Sequence, residues 1–247
     1  MNKISGDLII EITRRCQLEC PHCLRGPAQE QNINYFDMER TVKQFDTIGC
    51  ITFTGGEPSL NPEAIKHFLG ICKKFNISVD SFYIATNAVE ATKDFLLAVF
   101  ELYLYCEDNE MSSLDISNDE FHYGQFGIKD LEAFKFTRKK YKDGERTQTY
   151  DREGTGHLIN EGNYFDNYND GRVNHPEVIG NMDQDLFEES GHIGNEIRLM
   201  LNCNGDIILG CDWSYESQED HILCNSSDSI HTAIAAALVV YKESAPV

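Results

Sequence analysis

The sequence predicts an α/β protein, built as a partial (β/α)6 TIM-like barrel with a C-terminal extension. Short β-branched runs alternate with segments of helical apolar periodicity between residues 7 and 117. Such alternation produces right-handed βαβ units and a parallel sheet. The chain has 247 residues, of which 41% are apolar, so it can bury one core of this size.

The predicted strands and helices of this part follow one another in a regular order. Four short runs rich in β-branched or aromatic residues are the predicted strands, at residues 7–12, 50–54, 81–86 and 114–117. The first helix begins at Asp37, a residue type that caps helices. The second follows Asn61 and Pro62, a cap and a residue suited to the first helical position. The third covers residues 93–106.

The alternating pattern weakens towards the C-terminus. Residues 139–196 are rich in Gly, Asn, Asp and Tyr, a composition typical of long functional or mobile loops. We therefore divide the chain into a core, residues 1–165, and a C-terminal extension, residues 166–247. In the extension, residues 196–209 predict a hairpin that turns at Asn204-Gly205, and a final helix covers about residues 229–242.

Charge and cysteine content limit the classes of function. The formal net charge of −20 disfavours a nucleic acid partner because it repels phosphates. Nine cysteines without an export signal favour metal ligation or core thiols over disulfides. The longest late apolar run, residues 233–241, has half the length needed to cross a membrane. We expect a cytoplasmic protein with no membrane partner.

Three cysteines follow the first predicted strand at short intervals. Cys16, Cys20 and Cys23 form a C-x3-C-x2-C array. Soft thiolate ligands so closely spaced favour an iron–sulfur cluster or zinc. A structural zinc site requires four ligands, whereas a cubane with three thiolates leaves one iron open. Both interpretations stay open on this array alone, because His22 is a possible fourth zinc ligand.

A second motif, Gly55-Gly56-Glu57-Pro58, follows the second predicted strand. In combination with the cysteine array over residues 7–120, it resembles the radical SAM superfamily. The resemblance implies that Cys16, Cys20 and Cys23 ligate three irons of a [4Fe–4S] cluster. It also implies that S-adenosylmethionine (SAM) chelates the fourth iron. The SAM-contacting residues that it implies are His22, Gly55, Gly56, Glu57, Pro58, Asn87, Ser117 and Asp119.

The resemblance implies a redox partner as well as cofactors. In the family, a reduced cluster cleaves SAM to a 5′-deoxyadenosyl radical, which abstracts hydrogen from a substrate. An electron donor of the flavodoxin or ferredoxin type must therefore dock near the cluster. Arg14, Arg15 and Arg25 flank the cysteine loop of this acidic chain, and we expect them to mark the docking site.

The other six cysteines divide into two sets. Cys50, Cys72 and Cys106 lie among apolar residues and are predicted to be core thiols. Cys203, Cys211 and Cys224 surround the predicted hairpin, where larger family members hold auxiliary clusters. An auxiliary cluster at these three positions is disfavoured, because the complete module needs more cysteines. The alternative is a packed hairpin in which Trp213 and Tyr215 shape a pocket wall.

The expected function is reductive cleavage of SAM followed by radical modification of a small-molecule or peptide substrate, as an oxidoreductase or a lyase. The catalytic hydrogen donor or base is not identified by any pattern. The alternatives are a non-catalytic zinc or iron–sulfur protein, and a glycyl-radical-type activating enzyme. A colourless, air-stable protein without affinity for SAM would favour the non-catalytic alternative.

Overall fold

A computed structural model describes residues 3–20, 23, 25–89, 91–117, 137–140, 182–194, 197–211 and 213–244. The strands in these ranges are β1 (Ile4–Thr13), β2 (Phe45–Gly55), β3 (Ser78–Thr86), β4 (Ser113–Ser117), β5 (Thr137–Lys140), β6 (Leu199–Leu201), β7 (Asp206–Leu209) and β8 (Ile222–Asn225). The α-helices are α1 (Tyr35–Val42), α2 (Pro62–Phe75), α3 (Lys93–Tyr105), α4 (Gln184–Ser190) and α5 (Ile230–Ser244). Two short 3₁₀ turns cover Pro58–Leu60 and Ser217–His221.

All eight strands belong to one sheet, in the order β5-β4-β3-β2-β1-β6-β7-β8. The six strands from β5 to β6 are parallel, and β7 and β8 continue the sheet in antiparallel pairing. Among the described strands β5 and β8 are the two edges, so the sheet is open. The protein is therefore an α/β protein with a partial barrel, as the sequence predicts.

The sixth parallel strand has an unexpected position. It is the first arm of the predicted hairpin, and β6 pairs with the outer side of β1 rather than with a strand beyond β5. The hairpin itself is confirmed, with β6 antiparallel to β7. The C-terminal extension thus continues the sheet of the core. The predicted boundary at residue 165 lies outside the described residues.

The first helix begins three residues earlier than the cap prediction requires. The side chain of Asn34 accepts a hydrogen bond from the Phe36 N–H at 2.9 Å, so Asn34 is the N-cap of α1. The Asp37 carboxylate instead accepts a hydrogen bond from the Ser226 hydroxyl at 2.6 Å. The prediction that Asp37 caps the helix was wrong. The hydrogen-bond partner of Asp37 is Ser226, which is 189 residues away, so local sequence does not reveal it.

The core lies between the sheet and the helices. Phe53 of β2 and Phe68 of α2 pack edge to face, with ring centroids 5.2 Å apart, and both are buried. Burial of such rings drives the helices onto the sheet. In the described part of the chain, no helix combines the length and apolar character that a membrane span requires.

Candidate cluster and SAM site

The candidate site lies where the parallel strands β1 to β4 end. The cysteine loop follows β1, the Gly55–Pro58 segment follows β2, Asn87 follows β3 and Ser117 ends β4. Carboxyl ends of parallel strands meet at one edge of a sheet, and ligands of such folds bind there. The four motif segments that the sequence places at strand ends are therefore neighbours.

The first two loops are joined by their backbones. The Gly56 N–H donates to the Thr13 carbonyl, and the Glu57 N–H donates to the Arg15 carbonyl, each at 2.8 Å. Gly55 has a φ of +142°, and an added Cβ there would overlap with the Thr13 carbonyl oxygen. An added Cβ on Gly56 would overlap with the Arg15 carbonyl. Both glycines are thus required for the close contact of the two loops.

The Glu57 side chain joins these two loops to the third. It is 2% exposed. One carboxylate oxygen accepts from the Thr86 hydroxyl at 2.5 Å and from the Ser59 N–H at 2.9 Å, and the other accepts from the Asn87 N–H at 2.8 Å. Burial raises the pKa of this carboxyl, and the hydrogen bonds oppose that shift. In the structure Glu57 therefore positions the ends of β2 and β3 against each other.

We expect the Glu57→Gln variant to lose about 1–3 kcal/mol of unfolding free energy, because an amide NH2 would face the Asn87 N–H and leave it unsatisfied. Urea unfolding of the metal-free protein measures the loss. Glu63→Gln is the matched control, since the side chain of Glu63 is 65% exposed and binds Lys66 at the surface. An equal, small effect of both substitutions would contradict the positioning role of Glu57.

The turn after β3 contacts the cysteine loop directly. The Asn87 side chain accepts from Gln17 Nε2 at 3.1 Å and directs its NH2 group to the Cys16 sulfur at 3.8 Å. Ala88, which follows Asn87, has a φ of +56°, so the left-handed turn forms here with alanine. The Leu18 N–H also donates to the Cys16 sulfur, at 3.4 Å.

The three cysteines share one loop and are half-buried. The Cys23 N–H donates to the Cys20 carbonyl at 3.0 Å, which closes a turn between the last two. Burial raises the pKa of the Cys16 thiol to about 11, with smaller contributions from the charges of Glu57 and Cys23. In the described ranges, no three side chains of His, Cys, Asp or Glu are gathered in a metal-binding arrangement. The assignment of the three ligands stays a prediction.

The donor set nevertheless fits an iron–sulfur centre by its chemistry. Three thiols lie on one loop, and two N–H donors already point at the Cys16 sulfur, as donors do at the sulfurs of iron–sulfur clusters. Of the predicted SAM contacts, Ser117 is half-buried at the end of β4. His22 and Asp119 lie outside the described residues.

The prediction that three arginines form a docking surface is wrong for two of them. Arg14 is 4% exposed and Arg25 is 7% exposed. Arg14 Nε donates to Glu11 Oε1 at 2.7 Å, and Arg25 Nη1 donates to the Trp213 carbonyl at 2.6 Å. Both guanidinium groups therefore form hydrogen bonds inside the protein and do not face a docking partner. Only Arg15 of the three keeps a half-exposed side chain, paired at 3.4 Å with the exposed Glu30.

The sequence analysis did not predict the buried polar network around Glu11. Glu11 is 0% exposed, and besides Arg14 its carboxylate accepts from Gln218 Nε2 at 2.8 Å and from the Cys203 N–H at 3.1 Å. Arg14 Nη2 donates to Gln218 Oε1 at 2.7 Å. The network connects β1 to residues about 200 positions away. A charged residue inside the apolar run at residues 8–12 was the one local signal for it.

Tyr215 borders this network. It is 6% exposed, and the Arg14 guanidinium carbon lies 4.7 Å from the centre of its ring. Burial raises the pKa of its phenol, and the charges of Glu11 and Cys23 add to the shift. The Tyr215 N–H donates to the Arg25 carbonyl at 3.0 Å. The segment predicted to form a pocket wall is therefore packed on the cysteine loop.

The remaining cysteines lie in packed surroundings. Cys72 and Cys106 are buried, and burial raises the pKa of each to about 12. The buried Cys203 thiol donates to the Glu11 carbonyl at 3.1 Å. Cys211 packs against the small apolar group of Ile9, Met200, Ile208 and Trp213. Cys50 and Cys224 are half-buried on β2 and β8.

Comparisons with known proteins identify the family of this chain. A sequence model described as the radical SAM superfamily matches residues 10–142, which is more than half of the chain. The chain belongs to the radical SAM superfamily. It is therefore an enzyme of the radical SAM class, and the cofactors implied by its family are a [4Fe–4S] cluster and SAM. A comparison with curated proteins gave no match.

Solved structures share the fold at low sequence identity. Native anSMEcpe with bound AdoMet and Cp18Cys peptide has a TM-score of 0.52 and 13% identity, over 93% of this chain and 80% of that one. The corresponding Kp18Cys complex has a TM-score of 0.51 and 13% identity, over 94% and 80%. Histidine-tagged anSMEcpe with bound AdoMet has a TM-score of 0.52 and 14% identity, over 94% and 80%.

Proposed function

We propose that this chain cleaves SAM reductively at a [4Fe–4S] cluster held by Cys16, Cys20 and Cys23 and modifies a small-molecule or peptide substrate. The observation that carries the proposal is the direct joining of the cysteine loop to the Gly56-Glu57 backbone and, through Glu57, to Asn87. When bound, the cluster and SAM supply a 5′-deoxyadenosyl radical able to abstract hydrogen from an unactivated C–H bond.

The chain's own residues would bind and orient these groups. The three thiols would lose their protons on ligation, since iron binds the deprotonated sulfur. The segment Gly55–Pro58 would present its backbone to the methionine end of SAM, held in place by the buried Glu57 carboxylate. Further proposed SAM contacts are His22, Asn87, Ser117 and Asp119.

The proposed substrate is a peptide or a small polar molecule rather than a nucleic acid. A net charge of −20 opposes phosphate binding. Two of the similar structures hold a bound peptide, which supports a peptide as one of the two classes. The proposed electron donor is of the flavodoxin or ferredoxin type. With Arg14 and Arg25 buried, Arg15 is the arginine beside the cysteine loop that a donor can reach.

Anaerobic reconstitution with iron and sulfide tests the proposed chemistry. We expect a brown protein with about four irons per chain that releases 5′-deoxyadenosine when dithionite and SAM are added, measured by chromatography. Samples without SAM or without dithionite are the controls, and neither should yield the product. A colourless protein that binds zinc and releases no 5′-deoxyadenosine would overturn the proposal in favour of a non-catalytic metal site.

A further inference from the structure

The C-terminal extension binds the cysteine loop just after its last cysteine. Arg25 follows Cys23 by two residues. Arg25 Nη1 donates to the Trp213 carbonyl at 2.6 Å, and in return the Tyr215 N–H donates to the Arg25 carbonyl at 3.0 Å. The end of the cysteine loop is therefore tied to residues 213–215 by both the side chain and the backbone of Arg25.

The partners of the Arg25 side chain are themselves fixed to the sheet. Arg25 is 7% exposed, and its Nη2 lies 3.8 Å from the Met200 sulfur on β6. Trp213 is buried, and its Nε1 donates to the carbonyl of Leu209, the last residue of β7, at 2.9 Å. Both acceptors of the guanidinium are neutral, so these contacts hold its position without neutralising its charge. Arg25 thus connects the cysteine loop to β6 and β7.

Two successive turns transmit the position of Arg25 to the cysteines. The Gly26 N–H donates to the Cys23 carbonyl at 3.3 Å, and the Cys23 N–H donates to the Cys20 carbonyl at 3.0 Å. A hydrogen-bonded turn of this kind fixes its first residue relative to its last. Arg25 lies inside the turn that begins at Cys23, so its attachment to the extension also holds the Cys23 backbone in place.

The other end of the loop is bound by the same part of the extension. Arg14 precedes Cys16 by two residues, and its Nη2 donates to Gln218 Oε1 at 2.7 Å. The Gln218 N–H donates to the Ser214 carbonyl at 3.1 Å, which connects this contact to the one at Arg25. One short segment of the extension therefore holds the chain just before the first cysteine and just after the last.

We propose that Arg25 is a positioning residue for the cluster: it ties the Cys23 end of the loop to the extension and thereby slows the loss of iron. A cluster is lost when a ligand moves away from its metal, and a loop fixed at both ends restricts that movement. The inference rests on the proposed function, since it requires a cluster at Cys16, Cys20 and Cys23. It extends the cluster site beyond residues 10–142, which the family model matches, into the extension.

The test compares Arg25→Met with the native protein after anaerobic reconstitution with iron and sulfide. Methionine keeps much of the length of the side chain and removes its donors. Bathophenanthroline disulfonate, an iron chelator, is added to the dithionite-reduced protein, and iron release is followed by absorbance. We expect about tenfold faster release, since outer partners of metal ligands contribute about 10- to 100-fold to metal affinity. The electron paramagnetic resonance spectrum of the reduced cluster should also change, because Cys23 is no longer held in place.

Arg25→Lys is the conservative variant. It keeps the charge and one donor nitrogen for the Trp213 carbonyl but loses the planar group that also contacts Met200. Its release rate and its spectrum should lie between those of the native protein and Arg25→Met. If Arg25→Met fails to fold, as measured by circular dichroism, Arg25→Lys decides and must release iron faster than the native protein. A folded Arg25→Met protein that takes up no iron supports the inference in its strongest form.

Leu102→Ala is the control for a general loss of stability. Leu102 is fully buried in α3, which packs on α2 and β3, and its truncation leaves a cavity that lowers the unfolding free energy. It should leave iron release and the spectrum unchanged. Native release by Arg25→Met, or equally fast release by Arg25→Met and Leu102→Ala, overturns the inference while the native cluster still supports the proposed function. Failure of the native protein to assemble a cluster overturns the proposed function itself.

Discussion

The Cys20→Ala protein is expected to lose its cluster and its release of 5′-deoxyadenosine. Cys20 is the middle cysteine of the array, and its carbonyl accepts the Cys23 N–H that closes the second half of the loop. Removing one thiolate leaves two protein ligands, which cannot hold three irons of a cubane. We expect more than about a hundredfold loss of product, since even the outer partners of metal ligands cost 10- to 100-fold.

Iron content, visible absorption and 5′-deoxyadenosine release measure this loss. Cys106→Ala is the matched control, because Cys106 is a buried thiol at the opposite end of the sheet, before β4. It should keep the iron and the product and lose some stability only. A Cys20→Ala protein with native iron content and native product would contradict the assignment of the array as the ligand set.

The second large effect is expected for Arg14→Met. Arg14 is 4% exposed and forms an ion pair of 2.7 Å with the fully buried Glu11. Methionine has a similar length, so the main change is an unpaired carboxylate in the core. Removing one partner of a buried pair costs about 3–5 kcal/mol of unfolding free energy. Urea unfolding of the metal-free protein, followed by circular dichroism under reducing conditions, measures the loss.

The neighbouring residue provides the control. Arg15 has a side chain that is 40% exposed and pairs at 3.4 Å with Glu30, which is 92% exposed. Arg15→Met should cost less than about 1 kcal/mol, since surface pairs contribute little. Adding Glu11→Gln to Arg14→Met should recover part of the stability by removing the unpaired charge. Equal losses for the two arginine variants would argue against the buried network.

Local patterns predicted the elements from β1 to β4 well, because each consists of a short apolar run or a helical stripe. Strand ends were less predictable. The strand predicted at residues 50–54 begins at Phe45, since Phe45, Thr47 and Ile48 pair with β1 although Asp46 and Gly49 have weak strand preference. Tertiary pairing decides such boundaries.

In the candidate site, too, features set by local sequence were predicted and features set by distant residues were not. The cysteine array and the Gly55–Pro58 segment were visible because their residues are adjacent in sequence. The burial of Arg14 and Arg25 could not be predicted from the sequence. Their partners Gln218 and Trp213 are 204 and 188 residues away. No local pattern reports a hydrogen bond over that separation, so the two arginines were predicted to be at the surface.

The position of β6 has a consequence for how the chain folds during synthesis. β1 leaves the ribosome before the other described strands, and its pairing with β6 joins residues 8–10 to residues 199–201. Until then the outer N–H and C=O groups of β1 face solvent, as in any edge strand open to aggregation. Contacts of such long range also slow folding. The nascent chain must therefore hold its cysteine loop in an unfinished sheet until residues 199–201 have been made.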